Sequence, residues 1–381
     1  MASQFLSDQK TIFPDLASAY DNFESLFSRK LWHQLSVALE EFLLDPSHNR
    51  DDSFYNLYDS FITTFEARLS QIKLSQIVAM IAYSFEDPVR STEFLNRVLE
   101  SRGRLGEEAS LCIDTDIVIM KLRVGDLDEA RNLLDAAGEK LKESNTNEAV
   151  VFSKYYKACT EFRKSAGPPE EFYKASLMYL AYTPVESLSA EQQFCLATDM
   201  VLAALTGDGV YNFGEVVATP VLKALENSPN HYLHDIVIAI NNGDIDAFNS
   251  IVESNKDAYF SHEVLSNCHA TIQQKVVLVA LMNIVFERHS HDRTISYSTI
   301  ANAAKIPLEQ VDWVLMRAMS LGLIKGTINE VEQVVNVTWV QPKVLDNSQI
   351  NLLVNQVDNW TEKVKDTLLS VEDQALELYA Y

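Results

Sequence analysis

A chain of 381 residues with 47% hydrophobic side chains can bury substantial cores in two or three domains and is too apolar to be a disordered polymer. Its 54 acidic residues against 31 basic ones give a formal charge of -23, a field that favours solubility and repels nucleic acid and anionic membranes. The opening MASQFLSDQK has no basic start followed by an apolar run, so no secretory signal is expected. Cys112, Cys159, Cys195 and Cys268 stand singly, as expected of buried thiols in a reducing compartment, cytoplasmic or nuclear.

From Asp15 to Phe286 the pattern is helical almost throughout. Asp45-Pro46, Asp87-Pro88, Gly167-Pro168-Pro169, Thr183-Pro184, Thr219-Pro220 and Ser228-Pro229 mark helix boundaries. Between them apolar residues recur at three- and four-residue steps, as in Leu31, Leu35, Leu39 and Phe42 and again in Ile113, Ile117, Met120 and Val124. Antiparallel helices joined by short connections and stacked in series make a solenoid. Gly125-Asp126-Leu127-Asp128-Glu129-Ala130 and Gly243-Asp244-Ile245-Asp246-Ala247-Phe248 echo each other. In each, glycine can end one helix and aspartate can cap the next, a corner found in tetratricopeptide-like (TPR-like) repeats and in generic helix–turn–helix joints.

Candidate catalytic patterns in this region are incomplete. Gly207-Asp208-Gly209 with Gly214 lacks the Lys-Ser/Thr of a phosphate loop and is expected to be an interhelical loop. His231 and His234 lie one turn apart without the glutamate of an H-E-x-x-H site, so the pair is expected to be structural. No G-x-S-x-G elbow occurs. The longest apolar run, Val276 to Phe286, is interrupted by Asn283 and is too short to span a bilayer. No catalytic, cofactor-binding or metal-binding residue is assigned.

The period switches between Arg293 and Val340. Ser296 to Ala304 is expected as one short helix, with Ile300 and Ala304 on one face and Ile295 leading in, and Leu308, Val311, Leu315, Ala318 and Leu321 mark a second after Ile306-Pro307. Gly322 is placed for a left-handed C-cap. Ile324 to Ile328 and Val335 to Trp339 alternate as strands around a turn at Asn329-Glu330, with Val335, Val337 and Trp339 expected on one face. Helix, turn, helix, hairpin is the order of a winged helix. Four basic residues (Arg293, Lys305, Arg317, Lys325) balance four acidic ones (Glu309, Asp312, Glu330, Glu332), so the basic footprint of a DNA reader is missing. The alternative is a packing module whose hairpin offers a sheet edge to another chain.

After Pro342 a long helix is expected from about Asp346. Ile350, Leu353, Val357, Trp360, Val364, Leu368, Val371, Ala375 and Leu378 form its apolar stripe. The stripe either folds back on its own domain or, as its length favours, joins helices of other chains. The candidate interface residues are therefore Ile324, Ile328, Val335, Val337 and Trp339 in the hairpin, with Ile350, Leu353, Val357, Trp360, Val364, Leu368 and Val371 in the terminal helix.

Helical repeats running into a winged helix and a terminal helix resemble the PCI-domain, non-ATPase subunits of the 26S proteasome regulatory particle lid. KLWHQL (30–35), GDGVYNFGE (207–215), LGLIKGTINEV (321–331) and TWVQPKVLD (338–346) carry the resemblance. It implies a mainly α fold: a TPR-like solenoid over 1–170, a PCI domain over 171–343 with its winged helix at 291–343, and a bundle helix over 344–381. It also implies a non-catalytic scaffold without cofactor, joined to an adjacent PCI subunit through the winged sheet and to a shared C-terminal helical bundle. An MPN-domain subunit and the von Willebrand-type ubiquitin receptor would lie nearby. Metalloproteases of this family circle hold zinc with H-x-H-x7-S-x2-D. Counting from His289-Ser290-His291, the last two positions are Thr299 and Asn302, so the ligand set fails and both histidines are expected in a solvated loop. Alternatives are a scaffold in the signalosome or a translation-initiation complex and, less favoured by charge, a winged-helix nucleic-acid binder.

Overall fold

Helix punctuation follows the local chemistry of proline, glycine and aspartate. A computed structural model describes residues 2–374 apart from 46–47, 50–51, 101–105, 145, 227, 289–292 and 345–346. It divides the chain into two units, Met1–Leu188 and Ser189–Tyr381.

The first unit is helical: α1 (Ala2–Ile12), α2 (Ala17–Ser28), α3 (Trp32–Leu44), α4 (Ser53–Ser60), α5 (Gln71–Tyr83), α6 (Pro88–Glu100), α7 (Glu107–Val124), α8 (Leu127–Glu143), α9 (Ala149–Ala166) and α10 (Pro169–Tyr182). Pro88 and Pro169 each begin a helix, where a missing N–H costs nothing. Helices pack on their chain neighbours or next-but-one neighbours, the arrangement of a solenoid. Leu35, Leu39 and Phe42 of one predicted stripe are buried with Tyr20 and Phe23, and Ile113, Ile117 and Met120 of the other belong to the same core. Leu31 and Val124, at the ends of those stripes, are exposed because each sits at a helix terminus.

The Gly-Asp echo is a true structural repeat of one corner. Gly125 and Gly243 adopt φ of 92° and 71°, and the following aspartate N–H donates back to Lys121 O and Ala239 O. Asp126 then accepts from Glu129 N, and Asp244 from Asp246 N and Ala247 N, capping the next helix.

The first unit runs to Leu188 and so includes α10. Aromatic stacking keeps α10 with α9: Tyr182 lies parallel to Phe152 and to Tyr156, with centroids 4.9 and 5.8 Å apart. A buried polar knot ties α5, α7 and α9 of the first unit. Asp116 Oδ2 accepts from Lys154 Nζ at 2.7 Å, and Asp116 Oδ1 accepts from the Tyr83 hydroxyl at 3.2 Å. Burial, then the Asp116 charge, pushes the Tyr83 phenol far above its ordinary range, so it stays a donor.

The second unit contains α11 (Ala190–Thr206), α12 (Phe213–Ala218), α13 (His231–Asn242), α14 (Ile245–Ser254), α15 (Lys256–Ser261), α16 (Glu263–Glu287), β1 (Thr294–Ser296), α17 (Tyr297–Ala304), α18 (Val311–Ser320), β2 (Ile324–Asn329), β3 (Val334–Val340) and α19 (Asn347–Gln374). A Ser189/Gln192 capping box starts it. Helices α11, α13, α14, α15 and α17 all pack on α16. By length and composition α16 could cross a membrane, unlike the shorter run seen in the sequence, but half of its apolar window is buried inside the unit. The winged module has a third strand beyond the expected hairpin: β1 pairs with β3, giving the antiparallel order β1-β3-β2.

Asp116→Ala, leaving Lys154 without its partner at 17% side-chain exposure, is expected to destabilise the first unit by at most about 3–5 kcal/mol. Adding Lys154→Met should recover part of that loss in urea unfolding of the full chain.

Candidate subunit-docking surface

The wing is assembled around a single inserted residue. Lys325 pairs with Trp339 and Gly326 with Val337, so Thr338 has no partner opposite it and β3 bulges. Parity changes there. Val335, Val337 and Val340 are buried, while Trp339 turns to the outer face, where Lys325 Nζ lies 4.9 Å over its ring. The expectation that Val335, Val337 and Trp339 share one face is thus corrected by the bulge. Gly326 makes the bulge possible, since a Cβ there would overlap Asn336 O and lie 3.0 Å from Val337 Cα.

The candidate residues divide accordingly. Ile324, Val335 and Val337 are core residues, packed with Leu281 and Val285 of α16, Ile300 of α17 and Leu315 of α18. Ile328 is half-buried against the same core. Trp339 is the exposed member of the hairpin set, at 38%. On α18, Val311, Leu315 and Ala318 are buried as the period predicts, and the Gly322 cap forms, with Leu323 N donating to Ala318 O. Leu308 and Leu321 are exposed instead, at the two ends of that stripe. Trp313 and Met316 stand in solvent on the outer face of α18, 53% and 56% exposed. Neither belongs to the apolar stripe that the sequence period marks. Their signal was being apolar off the buried stripe, where a DNA-reading helix would carry basic residues.

The terminal helix carries a long run of exposed apolar side chains. Ile350, Leu353, Val357, Trp360, Val364, Leu368 and Val371 are all between 43% and 67% exposed along one side of α19. It therefore does not bury its stripe on its own domain. Ala375 and Leu378 lie outside the described residues, as do His289 and His291.

A buried cation sets where this helix begins. Lys275 of α16 is 2% exposed, and its Nζ donates to Ala204 O at 3.1 Å, Leu205 O at 3.0 Å and Gly207 O. These carbonyls end α11, where four acceptors lack helical partners and the dipole is negative. The ammonium also lies 5.9 Å from the Tyr211 ring centroid, over the GDGVYNFGE loop. From that loop Asn212 Oδ1 accepts from Val344 N at 3.2 Å. Lys343 Nζ donates to Asn283 Oδ1 at 2.8 Å, and Gln341 N to Leu323 O at 2.8 Å. The 341–344 linker is thus held at three points just before α19.

The loop at 207–214 carries no phosphate-loop lysine; its role in this unit is to hold the linker. Among the cysteines only Cys112 is buried; Cys159 and Cys268 are half-buried and Cys195 is exposed. Burial pushes the Cys159 thiol up to about 11, which suppresses its thiolate at neutral pH. Near His231 and His234 the structure adds a carboxylate, Asp235, within 3.3 Å of both rings.

A family model described as PSD13 N-terminal repeats matches residues 19–237, and one described as PCI domain matches 252–339. The chain is similar to the 26S proteasome non-ATPase regulatory subunit 13 of Dictyostelium discoideum, 34% identical over 99% of this chain and 98% of the relative. It is 35% identical to the 26S proteasome non-ATPase regulatory subunit 13 homolog B of Arabidopsis thaliana, over 100% of this chain and 99% of that one. Similarity to the 26S proteasome regulatory subunit RPN9 of Saccharomyces cerevisiae is 28% over 92% and 91%.

Two substitutions probe the surface's supports. Gly326→Ala should collapse the bulge and cost about 1–3 kcal/mol, seen as a lowered unfolding midpoint and a shift in Trp339 fluorescence. Lys275→Met strips three carbonyls of their donor; it is expected to cost about 2 kcal/mol or more and to speed amide exchange across 207–215.

Proposed function

We propose a lid-scaffold function from one premise: the chain belongs to the 26S proteasome non-ATPase regulatory subunit 13 family. On that reading it is a non-catalytic structural subunit of the regulatory particle lid, supporting ATP-dependent degradation of ubiquitinated proteins by holding its neighbours in place. The observation that carries it is the apolar stripe of α19, exposed along its described length. A monomer gains nothing from such a stripe, whereas each side chain of that size gains about 1.5–3 kcal/mol when fully buried.

The winged sheet, with Trp339 and Lys325 on its outer face, would meet an adjacent PCI-domain subunit, and α19 would enter a helical bundle shared with other lid subunits. An MPN-domain subunit and the von Willebrand-type ubiquitin receptor are the further neighbours proposed, and the compartments are cytoplasm and nucleus. Nucleic acid and membranes are not proposed as partners. The net charge opposes them, and the outer face of α18 presents Trp313 and Met316.

Removing residues 347–381 should leave both units folded by circular dichroism and abolish entry into the lid, scored by the chains that co-purify. Val357→Glu with Leu368→Glu changes exposed residues only, so it should lower incorporation without lowering stability. Normal incorporation of either variant would overturn the role of α19, and co-purification with a different PCI assembly would overturn the lid assignment itself.

A further inference from the structure

Away from the docking surface, three donor side chains converge on one face of α13. His231 and His234 stack with ring centroids 5.6 Å apart and planes 17° apart. Asp235 serves both: Oδ2 lies 3.3 Å from His231 Nε2, and Oδ1 lies 3.2 Å from His234 Nδ1. One ligand atom from each residue lies within 4.8 Å of the other two. Glu226, at the end of the 3-10 turn Pro220–Leu225, places Oε1 4.0 Å from the other nitrogen of His234, Nε2.

We propose that His231, His234 and Asp235 bind a divalent transition ion, zinc by donor chemistry, with Glu226 as a positioning residue for His234. The spacing supports this. In a tetrahedral zinc site with bonds of about 2.0–2.1 Å, neighbouring ligand atoms sit about 3.3–3.4 Å apart. Here the two nitrogens face different oxygens of Asp235, at 3.3 and 3.2 Å, and one ligand atom from each of the three residues lies within 4.8 Å of the others, so a small closure brings them to that spacing. Two imidazole nitrogens and a carboxylate oxygen suit zinc or its transition-metal neighbours, whereas magnesium and calcium take oxygen ligands. Three protein ligands leave the fourth position to water.

His234 supplies the second line of argument. Zinc-bound imidazoles commonly direct their remaining ring N–H to a carboxylate, which fixes the tautomer and orients the ring. With Nδ1 on the ion, Nε2 of His234 would carry the proton, and Glu226 Oε1 lies 4.0 Å from it, within reach of a hydrogen bond after a small side-chain movement. The same two carboxylates offset the positive end of the α13 dipole, which would otherwise oppose a cation in the first turn. The side chains are open to entry, His231 at 51% and Asp235 at 39% exposure. The competing arrangement is two imidazoles paired to Asp235 with no metal affinity, and it predicts no heat on zinc addition.

The test uses the untagged full chain at neutral pH, titrated calorimetrically with zinc chloride and spectroscopically with cobalt(II). One zinc should bind per chain at this site, and cobalt should give a visible d–d band without a thiolate charge-transfer band. His231→Gln, at an exposed position, and Asp235→Asn should abolish both signals while unfolding normally. Glu226→Gln should weaken zinc binding on the order of 10- to 100-fold. No band in the wild type, a thiolate band, or zinc binding unchanged in His231→Gln would each overturn the site. Lid incorporation of His231→Gln should stay normal, which keeps this result separate from the scaffold assignment.

Discussion

The buried ammonium of Lys275 is the constraint on which the C-terminal unit's geometry depends. A lysine withdrawn from water costs several kcal/mol unless its donors are satisfied. Here three carbonyls at the end of α11 satisfy it, and those carbonyls themselves need donors. The two requirements cancel only if α11 stops beside the middle of α16. That stopping point sets the loop at 207–212, the loop offers Asn212 to Val344, and Val344 precedes α19. An interaction wholly inside the unit thereby fixes where its exposed helix starts.

The wing shows the same division between support and display. Burying Ile324, Val335 and Val337 against α16, α17 and α18 makes the sheet rigid but removes those side chains from any partner. What a neighbour could touch is set by the inserted Thr338, which moves Trp339 to the outer face beside Lys325. One residue of insertion therefore converts a core tryptophan into a surface one. A flexible loop could also expose a tryptophan, but it would not hold the ring at a fixed register on a sheet.

Much of this was legible in the sequence because the signals were local. The Gly-Asp corners, the Gly322 cap, the two hairpin strands and the terminal helix each depend on residues within a few positions of one another. What escaped depends on contacts distant in sequence. The bulge is specified by Gly326 meeting the backbone of Asn336, so alternation read along β3 alone carries the wrong parity past Val337. β1 has three residues, too few to show a period of two, and exists because Ile295 pairs with Val335. The buried role of Lys275, just before the apolar run at 276–286, carries no local signal, since its partners lie about seventy residues earlier. The stacking of Tyr182 on Phe152 and Tyr156, which ties α10 to α9, likewise joins residues 26 to 30 positions apart.

The pattern on α19 says what kind of partner it fits. Taking Ile350 as a heptad a position, the a sites are Ile350, Val357, Val364 and Val371, and the d sites begin with Leu353 and Trp360. β-branched residues at a with leucine at d would suit a two-stranded coil. But the d series then decays to Thr367, while Val354 and Leu368 add apolar side chains at e, both about half-exposed. A stripe of a, d and e is wider than a two-stranded seam and matches the face a helix turns toward the interior of a bundle. At 28 residues the helix exceeds the length at which isolated helices become marginal in water, roughly 12–15 residues. It can reach its partners largely formed, so little of the binding energy is spent on ordering it. The wider stripe and the preformed helix together favour a multi-helix assembly over a single paired partner.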